Sequence, residues 1–330
     1  MNVILKDKGI IMIFEKMILN GYKKMMCTRC DDKETVFYFG LKDFPGLKKT
    51  SHQFKSSMGH ILQGYIYSYD NPISNKVVVF DHGFGGGHEA YMKEIEKLCQ
   101  SGFCVFAYDH TGCMESGGDT LNGMAQSLCD LNDCINNIKN TIFKDYDIYV
   151  MGHSWGGFST LNISAIHTEI KKVVVLSGFV SVELLVNSFF NGILKNYRKV
   201  ILKYESTLNP EFIRYNAIDS LKNSEADVLL IYSTNDLLCQ KETHYDLLFE
   251  NLKDLPNINF VLEENKGHNP NYTKDAVVYL SEFQKARNKF LKSKKRLLVE
   301  EQLKFIKAFD WHKMTEQDED VWQKIINHLK

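Results

Sequence analysis

The stretch Tyr149–Ser159, YVMGHSWGGFS, decides how this chain is read. A short apolar run, IYVM, ends in Gly152-His153-Ser154-Trp155-Gly156, and a helix-forming run, GGFSTLNISAIH, follows. Serine flanked by glycines between a strand and a helix fits a tight turn with a strained backbone. Such a turn stands the serine hydroxyl clear of the sheet edge, and the glycines keep side chains from colliding across it. The N-terminus of the following helix brings oriented N–H dipoles to the place where negative charge would develop.

Working outward, further β-branched or aromatic runs occur at Ile61–Tyr69, Lys76–Gly83, Phe103–His110, Lys172–Phe179, Asp227–Asp236 and Ile258–His268. From Lys76 onward, runs such as VVVF, VVVL and VLLIY are continuously apolar, the pattern of strands buried on both faces of a parallel sheet. The spacers Tyr91–Gln100, Met124–Asn140, Phe158–His167 and Glu242–Leu252 read as crossover helices. Strands alternating with helices predict an α/β fold: a mostly parallel central sheet with helices on both faces.

One spacer, from Gly178 to Ala226, is too long for a connection. Val182, Val186, Phe189, Ile193, Tyr197, Val200 and Tyr204 recur in it at helical steps, until Asn209-Pro210 breaks the pattern. It reads as an inserted helical cap. The organisation expected is a helical or extended N-terminal segment (1–52), a first core part (53–179), the cap (180–225) and a second core part with C-terminal helices (226–330). GIIMIFEKMIL near the start, with Met17 and Tyr22, reads as an amphipathic helix; the alternative is that Met12 is the natural start, with Met1–Ile11 a loose tail. Near the end, Thr315 with Asp318 reads as the cap of a last helix reaching Leu329.

Composition narrows the function. The 330 residues carry 40 Lys+Arg against 41 Asp+Glu, which argues against a dedicated nucleic-acid binder. No apolar run reaches the roughly 18–20 residues of a membrane-spanning helix. The eight cysteines are scattered, which suits reduced thiols in a cytoplasm. Cys27 and Cys30 form a lone C-x-x-C with no second pair, so chance or a local redox pair is expected and not a zinc site. The basic cluster from Lys285 to Arg296 reads as a solvated helix face, balanced by Glu300 and Glu301.

The glycine-rich turn HGFGGGH, His82–His88, follows a strand. It fails as a dinucleotide fingerprint, because His88 stands at the third glycine, and there is no G-K-[ST] for a phosphate loop. HEAYM at His88 misses H-E-x-x-H at Met92. What the turn offers is a backbone N–H, assigned to Phe84, which with the N–H of Trp155 makes an oxyanion hole. Asp236 falls just past one strand and His268 just past the next, so both meet Ser154 at the carboxyl edge. Asp227 precedes its strand, Asp246 falls inside a helix, and His244, the rival base, is expected at the surface.

Together HGFGGG, YDHTGCMESGG, GHSWGG, STND and KGH resemble the α/β-hydrolase superfamily, and within it the branch of serine aminopeptidases, monoacylglycerol lipases and lysophospholipase-like enzymes. The resemblance covers Gln53–Lys330, and Ser…Asp…His is the triad order of that fold. It implies Ser154 as nucleophile, His268 as base, Asp236 as its orienting acid, an acyl-enzyme, and no metal or organic cofactor. In the cap Leu184, Leu185, Phe189, Phe190, Ile193 and Leu194 suggest an apolar group, with Phe189, Phe190 and Ile193 touching substrate. A small carboxylic ester, including a lipid monoester, is therefore expected as substrate. The alternative is an aminopeptidase-like amidase, in which Glu183 or Glu205 holds a free amino group. A non-catalytic binding protein on the same scaffold is the remaining reading.

Overall fold

A computed structural model describes residues 2–330, with side chains from Met12 onward. Eight strands form one sheet: β1 Lys48–Lys55, β2 Ile61–Ser68, β3 Lys76–Asp81, β4 Cys104–Tyr108, β5 Asp147–His153, β6 Lys172–Leu176, β7 Asp227–Ser233 and β8 Ile258–Glu263. The order across the sheet is β1-β2-β4-β3-β5-β6-β7-β8. β1 and β2 run antiparallel to their neighbours, and from β4 to β8 every pairing is parallel. The mostly parallel sheet is thus the one expected, and its central strands are buried along nearly their whole length.

β1 is the strand that sequence missed. KKTSHQFK is polar and only Phe54 is buried, so the strand lacks the apolar pattern and pairs at an exposed edge. The boundary placed at residue 52 falls inside it.

The first helices are α1 Asn2–Met26, α2 Met92–Gln100, α3 Gln126–Asn140 and α4 Trp155–Asn162. α5 Val182–Phe189, α6 Arg198–Leu208 and α7 Ala217–Lys222 fill the long excursion between β6 and β7. α8 Tyr245–Leu252, α9 Lys274–Leu291, α10 Val299–Lys307, α11 Trp311–Met314 and α12 Glu319–Leu329 complete the chain. α1 begins at Asn2, so the stretch read as a loose tail is helical backbone, while Met1 lies outside the described residues. The cap of α12 is Asp318, whose carboxylate accepts from the Asp320 and Val321 N–H groups, and Thr315 instead ends α11.

The excursion is not one stripe. α5 stops at Phe189, the chain turns through Gly192 at φ +56°, and a 3₁₀ segment over Gly192–Tyr197 leads into α6. That turn changes the helical phase, and Ile193 swings out to 89% exposure.

The N-terminal segment laces onto the body beside the turn after β4. Arg29 donates to the Ser116 and Gly118 carbonyls at 2.9 and 2.7 Å, and the backbone at Cys30 pairs with that at Cys113 in an isolated parallel β-bridge. C-x-x-C here marks a packed segment with unpaired thiols. Within the basic cluster, Arg287 is bound to Asp32 and to Thr35 of the same segment, so it is a tether as well as a surface charge.

The tightest constraint lies at the β5–α4 turn. A Cβ on Gly156 would overlap the carbonyl oxygen of Asp81, and one on Gly152 would overlap the Gly156 carbonyl and the Thr160 hydroxyl. We expect Gly156→Ala to lose about 3 kcal/mol or more of stability in urea titration, because backbone must move to admit the methyl. Gly21→Ala, in α1 with open space around it, should be neutral or gain roughly 0.5–1 kcal/mol.

Candidate active site

Parallel register brings the ends of β3, β5, β7 and β8 to one edge of the sheet. Asp81 pairs with Gly152, His153 with Leu176, and Ser233 with Glu263, so the next residues of each chain segment emerge side by side. Ser154 follows at φ +57°, ψ −111°, a region that L-residues rarely occupy. Its N–H donates to the Leu176 carbonyl at 2.9 Å, and its own carbonyl accepts from Phe158 N–H at 3.0 Å. Those two bonds hold the strained residue between β6 and α4.

The Ser154 hydroxyl lies 2.7 Å from Nε2 of His268. Nδ1 of that ring lies 2.7 Å from Oδ2 of Asp236. Oδ1 of Asp236 accepts from the Leu238 and Cys239 N–H groups at 2.8 and 3.0 Å. Burial alone would push the Asp236 carboxyl up. The hydrogen bond and charge of His268, with the two backbone donors, outweigh it and hold the group below the ordinary carboxylate range. An ionised Asp236 accepts only, so Nδ1 of His268 donates to it and Nε2 is left to accept the serine proton. The loops carrying Asp236 and His268 are stitched together by Asn235, whose side-chain oxygen accepts from Gly267 N–H at 2.8 Å, and by Ser233, which accepts from Lys266 N–H at 2.9 Å.

Phe84 follows β3 in the glycine-rich turn, and Trp155 opens α4; their rings meet edge to face at 5.8 Å. Among the described residues neither backbone N–H is taken up by an acceptor. His244 is fully buried at the start of α8, where Nδ1 accepts from Val180 N–H at 3.2 Å. The surface placement expected for it is wrong, because it precedes the helix instead of riding its outer face. Burial lowers its pKa to about 4, so it stays neutral near pH 7.

His153, the residue before the serine, is a contributor that sequence reasoning passed over as a free position. Its Nε2 lies 2.8 Å from the His268 carbonyl, an acceptor, so Nε2 carries the proton. Nδ1 then accepts from the Tyr91 hydroxyl at 2.7 Å, and Tyr91 accepts from Gly83 N–H at 3.1 Å. Burial, with His268 nearby, lowers the His153 pKa to about 3, which keeps this relay neutral. It ties the base loop to the glycine-rich turn.

Beneath the turn His110 lies between two carboxylates, 2.9 Å from Asp81 and 3.3 Å from Asp130, all fully buried, with the Trp155 ring 4.8 Å away. Burial disfavours its charge, but Asp81 and Asp130 overcome that and raise its pKa to about 9.

A cavity of about 470 Å³ opens beside Ser154. Met25 and Met26 of α1 form one wall, and Phe179, Leu185 and Phe189 form another. Phe84, Met124, Trp155, Leu238 and Cys239 complete it, and no described lining residue is charged. Phe189 therefore reaches the cavity. Phe190 turns inward, its ring 6.2 Å from that of Tyr22, and Ile193 points to solvent. Neither acid expected to hold an amino group lines it. Glu183 is exposed, and the buried Glu205 accepts from the Tyr22 hydroxyl at 2.7 Å and the Met124 N–H at 2.8 Å. Asp236, Cys239 and His268 lie close enough to share a soft cation, but two of them already serve each other.

Residues 72–253, just over half of the chain, match the family described as serine aminopeptidase, S33. The chain belongs to this family. Its mostly parallel sheet has the α/β-hydrolase fold of the solved structures it resembles. The chain is similar to a proline iminopeptidase of Saccharolobus solfataricus, 26% identical over 147 residues, which are 42% of this chain and 47% of that protein. The match thus spans about half the length of that relative. Among solved structures, an esterase of Pyrococcus furiosus shares the fold with a TM-score of 0.57 and 21% identity, over 80% of this chain and 98% of the esterase. An acylaminoacyl peptidase of Pyrococcus horikoshii shares it with a TM-score of 0.52 and 19% identity, over 69% of this chain and 39% of the peptidase.

The His110 cluster makes a pH prediction. Its folded pKa of about 9 exceeds the ordinary value of 6.5, so the proton stabilises the fold fully below about pH 6.5 and is lost as pH rises through 9. Urea midpoints of the hydrolase should fall over that window, by up to about 3 kcal/mol from this group. His110→Gln should be less stable throughout and lose that slope.

Proposed function

We propose that this hydrolase cleaves carboxylic esters with an apolar acyl group, lipid monoesters among them, through Ser154, His268 and Asp236. What carries the reading is the position of Ser154: in hydrogen-bond contact with His268, at a cavity with no charged lining residue among those described. The Ser154 oxygen attacks the acyl carbonyl while His268 Nε2 takes its proton, and Asp236 holds the ring and the charge it gains. The Phe84 and Trp155 N–H groups receive the oxyanion. The tetrahedral adduct collapses as His268 protonates the leaving alcohol, and water activated by the same imidazole releases the acid and restores Ser154. The excursion over α5–α7 acts as a cap on the acyl group, with Phe189 and Leu185 from the cap and Met25 and Met26 from α1 as its contacts.

The second reading is an amide or peptide hydrolase, which the family match and the iminopeptidase relative favour. It requires a carboxylate within reach of a free amino group. Glu205 is already engaged by Tyr22 and Met124, and Glu183 is exposed, so we favour the ester. The unpaired cysteines among the described residues support a reducing, cytoplasmic setting.

Turnover of p-nitrophenyl butyrate and octanoate, set against proline and leucine p-nitroanilides, tests the choice. We expect kcat/KM for the esters to exceed that for the anilides by about a hundredfold or more; the reverse order would favour the aminopeptidase. Ser154→Ala should remove at least about 10⁴ in kcat with the fold retained. Glu205→Gln should cost about 1–3 kcal/mol of stability and leave ester turnover near wild type, whereas an amine-binding role predicts selective loss of anilide cleavage.

A further inference from the structure

From Met12 to Met26, α1 is apolar on two sides. Ile18, Leu19, Tyr22 and Met26 pack against the body. On the other side Ile13, Phe14, Met17 and Met25 are 69, 47, 56 and 62% exposed. At about 100° per residue these four fall within one stripe, interrupted only by Gly21 and Lys24. Covering the body needs the inner side only, so among the described residues the outer stripe is left exposed.

The stripe runs into the mouth of the Ser154 cavity. Met25 belongs to both, and Phe84, Phe189 and Leu238 are likewise cavity-lining and exposed. Leu237, next to Leu238, and Ile193, four residues after Phe189, are among the most exposed large apolar residues. The charges beside this surface are mainly positive. Between Met12 and Met26 the chain has Lys16, Lys23 and Lys24 against Glu15, and helical geometry puts Glu15 on the body side with Ile18 and Tyr22. Over α5–α6, which carries Phe189 and Ile193, Lys195, Lys199 and Lys203 are exposed against the one exposed acid, Glu183.

We propose that the outer stripe of α1 and the apolar rim of the cavity dock together on an anionic lipid surface, with α1 lying in the plane of the interface. A helix so placed sinks its apolar side chains to the acyl boundary while lysines meet the anionic headgroups. Docking itself is independent of the ester reading. The further consequence, that the cavity mouth faces the acyl layer and takes its substrate from it, rests on that reading.

Flotation of the full chain with phosphatidylcholine vesicles, with and without phosphatidylglycerol, tests this. The wild type should float with the anionic vesicles and be released by high salt. Phe14→Ser/Met17→Ser should bind on the order of a hundredfold more weakly, with turnover of soluble p-nitrophenyl butyrate unchanged. No flotation of the wild type, or flotation that the double variant leaves intact, overturns the proposal. So does a wild type that binds no vesicles and sediments as a dimer which the variant makes monomeric, which would assign the face to a second copy of the chain. Flotation by a protein that turns over no soluble ester would sink the ester reading and leave docking standing.

Discussion

The site depends on how closely α4 approaches β3. Gly156 sits against the Asp81 carbonyl with no room for a methyl, and Gly157 packs so near Gly178 that an added Cβ would fall 2.7 Å from its Cα. That approach forces the chain to reverse within one residue, and the residue is Ser154, held at positive φ. Backbone strain of this kind costs on the order of 1–3 kcal/mol and persists only where its surroundings overdetermine it. Here they do: Leu176 and Phe158 fix the serine backbone, and Ser159 bonds Asp81 from the next turn of the helix. A buried Asp81–His110–Asp130 cluster lies beneath, packed on Trp155.

Two features extend this rigid centre outward. The Gly83–Tyr91–His153–His268 relay joins the glycine-rich turn to the base loop through donors and acceptors that can each be arranged in one way. A change in either loop is therefore felt by the other. The second is Glu205, whose carboxylate joins Tyr22 of α1 to Met124 beside the cavity. Burial raises its pKa, and the Tyr22 and Met124 donors partly offset that. This one side chain binds the N-terminal helix, α6 and the cavity wall together, so α1 is part of the architecture of the cavity beside Ser154 although the family match begins only at residue 72.

Much of this was legible in the sequence because it rests on local backbone demands. Glycines at 152 and 156, an apolar strand before them and a helix after them have few alternative readings, and the strands from Lys76 onward are apolar enough to declare a buried sheet. Asp236 and His268 followed from their positions just beyond strand ends. What stayed hidden depends on partners distant in sequence. β1 is polar, and it is a strand because β2 pairs with it. His244 reads as a surface residue until the β6–α5 connection covers it. Ile193 kept the helical period on paper, but Gly192 turns the chain before that period can place it. Met25 and Met26 gave no sign of touching a cavity beside Ser154, more than a hundred residues away in sequence.

The central claim is that this strained turn presents an activated nucleophile. Labelling the purified protein with a fluorophosphonate and locating the modified peptide by mass spectrometry tests it most directly. The account predicts one modified residue, Ser154, and no modification after Ser154→Ala. Labelling at another serine, or none in folded protein with an open cavity, would contradict it.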